Sequence, residues 1–169
     1  MTVNLRTSVL PAALLLALSL IGEPCSAQTP PSPLKGTWVL VTADVLYPDG
    51  KRTHDYGENP KGRLMVDAEG RYSLQIFSTA RPRFASGDKA TGTPDEFRAA
   101  IMGVSTHFGT MSVDEATHTL NVAIDNASYP NWEGTLQKRQ YVLKGDELSY
   151  KVLPRADGSV PISIWRRVK

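Results

Sequence analysis

Three pairs of short apolar runs, each pair joined by a tight turn, constrain this chain more than any other feature. Residues 61–67 and 71–77 flank Ala68-Glu69-Gly70, where Gly70 supplies the positive φ that a hairpin turn needs. Residues 104–113 and 118–124 flank Asp114-Glu115-Ala116-Thr117, and residues 135–143 and 148–152 flank Lys144-Gly145-Asp146-Glu147. Apolar runs bounded by such turn signals are strands. An opening run at 38–47, ended by Pro48-Asp49-Gly50, and a closing run at 162–168 bring the series to about eight. Serial hairpins predict an all-β antiparallel meander, and closing it into a barrel removes the exposed edges.

One segment breaks this rhythm. Thr93-Pro94-Asp95-Glu96 combines an N-cap Thr, Pro at the first helical position and Glu at the capping-box position. Phe97, Ala100 and Ile101 share one helical face, and Gly103 stops the run. A short helix cannot join a strand ladder, so its expected place is over a barrel mouth. The irregular stretch 81–92 before it then belongs to a lid-like connection.

The N-terminus carries a different signature. Arg6 precedes an apolar run at 10–21, and Cys25-Ser26-Ala27 offers small residues for a signal peptidase. Residues 1–27 therefore predict a secretory signal cleaved near Ala27, and a periplasmic or secreted protein. The alternative is an uncleaved anchor, but the run is shorter than the roughly 20 residues of a membrane span. No second apolar segment follows, so no stable membrane insertion is expected after cleavage. Glu23-Pro24 before Cys25 argues against lipidation of that cysteine. Cys25 is the single cysteine, so the mature chain has no thiol for catalysis, iron–sulfur clusters or zinc–cysteine sites.

Thr29-Pro30-Pro31-Ser32-Pro33 lies in a proline-rich spacer, 28–35, expected to be extended and unpacked. Residues 36–169 then form one domain of ordinary size. The net charge of +2 and the lack of a basic stripe exclude a nucleic-acid footprint. His54, His107 and His118 lack metal-ligand spacing, and no serine-nucleophile motif, phosphate loop or paired-carboxylate spacing occurs. Neither metal nor cofactor is expected.

A further set of short motifs runs along the chain: Gly36-Thr37-Trp38, Tyr56-Gly57 with Asn59-Pro60-Lys61-Gly62-Arg63-Leu64, Gly70-Arg71-Tyr72, and Thr93 with Glu96. It continues through Phe108-Gly109-Thr110, Pro130-Asn131-Trp132 with Gly134-Thr135, Gln137 with Arg139, Gly145-Asp146-Glu147-Leu148, and Trp165-Arg166-Arg167. Through these residues the chain resembles the lipocalin-like domain family of small bacterial and fungal proteins, and the resemblance implies a lipocalin-like antiparallel β-barrel. The Gly36 to Trp38 opening also resembles the wider lipocalin signature, in which the Trp packs at the closed end against a C-terminal Arg. Carried over, this pairs Trp38 with Arg166 or Arg167 and makes all four residues structural closure.

Function would then lie at the opposite mouth. Along 135–143, Gln137, Arg139 and Tyr141 share one face, while Lys138 and Gln140 read as the solvent face. A guanidinium and a phenol pointing inward could hold a carboxylate or carbonyl. The other role open to Arg139 is pairing with a barrel carboxylate such as Asp125. Trp132 and Tyr129 could rim the mouth and stack a planar ligand, or simply staple their turn. Three functions follow. The leading one is an exported protein binding a small apolar or amphipathic molecule through Arg139, Tyr141, Gln137, Trp132 and Tyr129. A second is a cofactor-free isomerase or cyclase in which His107 or Tyr141 moves a proton and Arg139 stabilises an oxyanion. A third is a module with a packed core that acts through its outer surface.

Overall fold

The computed structural model describes residues 31–169. The expected signal segment with Cys25, and residues 28–30 of the spacer, lie outside the described residues. Nine strands run in chain order: β1 (Gly36–Leu46), β2 (Arg52–Thr53), β3 (Lys61–Val66), β4 (Arg71–Phe77), β5 (Val104–Asp114), β6 (Thr119–Ala127), β7 (Leu136–Lys144), β8 (Glu147–Lys151) and β9 (Val160–Arg167). From β3 to β9 each strand pairs with the next, and β1 pairs with both β3 and β9. This closes an eight-stranded antiparallel barrel, with the two-residue β2 as an appendage on the far end of β1.

Alternation places Trp38, Leu64, Leu74, Leu120, Val122, Ile124, Leu148 and Trp165 inside, each almost fully buried. A side chain of this size contributes about 1.5–3 kcal/mol when removed from water. Two irregularities set what faces inward elsewhere. The β1–β9 register slips between Leu40 and Thr42, which leaves Val41 exposed and moves the inward positions from Trp38 and Leu40 to Ala43 and Val45. The β5–β6 register slips between Phe108 and Gly109. Gly109 sits there at φ 156°, and a Cβ on it would lie 2.1 Å from the Ala123 carbonyl oxygen. The backbones approach too closely for any other residue.

One end of the barrel is plugged. Arg167 lies with its guanidinium carbon 4.0 Å from the centre of the Trp38 ring system. It donates from Nη2 to the Pro33 carbonyl at 3.0 Å and from Nη1 to the Lys35 carbonyl. Trp38 Nε1 donates to the Leu34 carbonyl at 2.9 Å, and Leu34 is buried. The expectation of an unpacked spacer therefore fails for residues 31–35. Ser32 N–H also bonds to the Ala68 carbonyl, so this stretch is the plug itself. Arg166 is not part of it: opposite parity on β9 turns it outward, 4.0 Å from Glu147.

The helix α1 (Pro94–Met102) has the capping box expected of it. Thr93 Oγ1 accepts from Glu96 N–H, and Thr93 N–H donates to Glu96 Oε2 at 2.7 Å. It follows β4 at the open end, yet no residue of 81–103 lines the cavity described below. Phe97 meets Phe84 edge-on at 5.4 Å within its own loop, while Phe97, Ile101 and Met102 all stay exposed. The helix therefore supplies no wall to that cavity.

Candidate functional site

The open end holds a cavity of about 320 Å³. That is near the lower limit for ligand pockets, which run from about 300 to 1,000 Å³. Ala43, Val45, Leu74, Ile76 and Val152 form its apolar wall, and Ser105, His107, Gln137 and Arg139 bring polar groups into it. Trp132, on a short turn between β6 and β7, closes one side.

Arg139 is the centre of the polar set. Only 4% of it is exposed. Its Nη2 donates to Gln137 Oε1 at 2.8 Å and stands 3.4 Å from His107 Nε2. The guanidinium also lies 5.0 Å from the Tyr150 ring centre, a cation–π contact. Its Nε–H is buried and has no partner among the described residues. No carboxylate of those residues forms an ion pair with it. Asp125 is exposed, because Val122 and Ile124 face inward and its parity turns it out. Asp44, the buried carboxylate among the described residues, is already engaged. It accepts from Thr42 Oγ1 at 2.6 Å and Arg52 Nε at 2.6 Å, and lies 2.7 Å from His54 Nδ1. Burial pushes the Asp44 carboxyl up, but these hydrogen bonds outweigh it and hold the group below its ordinary range. The same contact with Asp44 raises His54. At the rim, Asp55 pairs with Arg155 at 3.2 Å. Arg139 is thus a buried cation without a counter-charge in the described structure.

His107 lies between Arg139 and Tyr72, with Nδ1 2.7 Å from Tyr72 Oη. Burial, and then the Arg139 charge, push its pKa down to about 3. The ring is neutral at physiological pH and can accept from the guanidinium, which only donates. Burial raises the Tyr72 phenol well above its ordinary value. Trp132 meets the His107 ring edge-on at 6.0 Å, and Tyr129 packs edge-on against Trp132 at 5.5 Å.

Of the residues expected at the site, Arg139, Gln137, Trp132 and His107 are brought together around the cavity. Tyr141 is not. It faces inward, but further along β7 toward the plugged end, where its ring packs near His118 at 6.1 Å. Tyr129 also stays off the cavity wall and buttresses Trp132 from outside. Sequence reasoning missed Tyr150, which carries the Arg139 guanidinium on its ring. Its alternation with Leu148 on β8 was the available signal.

A closed antiparallel barrel, plugged at one end and hollow at the other, is the architecture of a lipocalin-type binding protein. The family model of the lipocalin-like domain matches residues 35–168, and the chain belongs to that family. It is also similar to the 4'-hydroxy-3'-methoxypropiophenone carrier protein ppsC of Aspergillus oryzae. The two are 29% identical over 82 residues, covering 45% of this chain and 74% of that protein. No solved structure matches. The fold and this relative support a binding role in general.

Proposed function

We propose that the protein is an exported carrier that holds one small apolar or amphipathic molecule in its open-end cavity. The observation that carries this reading is the buried Arg139, which lines a largely apolar cavity with no carboxylate paired to it among the described residues. Burying a charge without a counter-charge is costly, so a ligand oxygen on the cavity side of the guanidinium relieves a standing penalty. Trp132 and the aliphatic wall would enclose the ligand body, while Gln137 and Arg139 hold its polar end. The related carrier's name points to a single-ring aryl ketone, which suits a cavity of about 320 Å³.

Isothermal titration of the full chain with 4'-hydroxy-3'-methoxypropiophenone tests this. The expected result is saturable one-to-one binding, weakened about tenfold by Trp132→Ala, the scale of one lost aromatic contact. Absence of saturable binding by this ketone, by a neutral fluorescent hydrophobic probe and by small aromatic acids alike would sink the carrier reading.

One observation favours an isomerase as a second reading: His107 and Arg139 share the cavity. Against it, a base whose pKa lies at about 3 is too weak to abstract protons well near neutrality. The pair is better suited to holding a ligand than to transforming it.

A further inference from the structure

We propose that the polar end of the ligand is a carboxylate seated on Arg139, so that the natural cargo is a small monocarboxylic acid with an aromatic or aliphatic body. The inference rests on the carrier reading and narrows it. Three observations point to an anion rather than a neutral oxygen.

The first is charge. The Arg139 guanidinium is buried with no carboxylate paired to it among the described residues, since Asp44 is held by Arg52 and His54, Asp55 by Arg155, and Asp125 is exposed. Buried charges are as a rule paired, and with no such carboxylate among the described residues a ligand entering this cavity is placed to supply the counter-charge. The second is the direction of the hydrogen bonds. Gln137 spends its acceptor, Oε1, on Arg139, which leaves its amide N–H₂ as a donor. A guanidinium only donates, so what Gln137 and Arg139 together offer a ligand is donors. The third is shape. A planar carboxylate offers two acceptor oxygens to a guanidinium, a match that a ketone makes with one. The cavity is too small for a long acyl chain lying wholly within it. Its volume equals that of about ten waters, taking about 30 Å³ of liquid for each.

Cinnamate and benzylideneacetone separate the cases, because they share a skeleton and exchange a carboxylate for a methyl ketone. Titrated into the full chain near neutral pH, cinnamate is expected to bind about tenfold more tightly, the ratio that one charge-assisted hydrogen bond supplies. Arg139→Gln should remove the preference, weakening cinnamate about tenfold more than it weakens the ketone. Near-ultraviolet circular dichroism reports whether that variant keeps its packing. Should it not, Gln137→Glu serves instead: it places an internal carboxylate beside Arg139 and should weaken cinnamate selectively. Equal affinities, or tighter binding of the ketone, would overturn the carboxylate assignment and leave the carrier reading intact. If neither molecule nor the propiophenone binds, both readings fall.

Discussion

His107 shows how one buried side chain ties site chemistry to stability. Its pKa falls to about 3 in the fold against 6.5 when solvated. Between those values the unfolded chain holds a proton that the folded chain does not, so stability rises with pH across that window. Urea unfolding from about pH 4.5 to 6.5, the upper part of the window, should show this slope, and His107→Gln should flatten it. Asp44 adds its own loss only at lower pH, because its depressed carboxyl is stabilising above the ordinary carboxylate range and fails as pH drops through the folded value. At the other end of the barrel, the two arginines of the last strand should behave differently. Arg167→Ala removes a cation–π contact and two carbonyl bonds and should cost roughly 1–2 kcal/mol. Arg166→Ala, on the outer face, should stay within about 0.5 kcal/mol. Chemical denaturation of the pair checks both. The resemblance left these two residues unresolved, although parity with buried Trp165 distinguishes them: odd positions on β9 face in.

The elements were legible to different depths. Hairpins written with their turns in sequence, such as β3–β4 around Gly70 and β7–β8 around Gly145, formed where their apolar runs predict, because turn and alternation agree. The helix formed with the cap that Thr93 and Glu96 encode. Its position was not legible. A capping box is local, whereas placement depends on Phe84 meeting Phe97 across the loop, a contact that no periodicity signals. The slip in β1 was equally hidden, since Val41 continues the apolar run while turning outward. Tyr141 was misplaced for a related reason: alternation gives the face of a strand but not the depth along the barrel. Phe97→Ala should therefore leave affinity for the propiophenone within about twofold, since truncating a residue outside the cavity removes no ligand contact. A Phe97→Ala effect as large as that of Trp132→Ala would restore the lid.

At the scale of the molecule, the barrel divides its labour between ends. Trp38, Leu34 and Arg167 seal one, and the apolar residues between make a solid core. At the other, Arg139, His107, Gln137 and Trp132 surround the cavity. That division is why sequence signals were strong for closure and weak for cargo: closure is repeated apolar patterning, whereas a cavity is the absence of side chains from a volume. The most direct test is native mass spectrometry of the protein purified from its own host. The expected result is a population carrying one small noncovalent adduct, displaced by cinnamate and reduced in Arg139→Gln. A protein that shows only its bare mass, and takes up no small aromatic molecule when one is added, would contradict it.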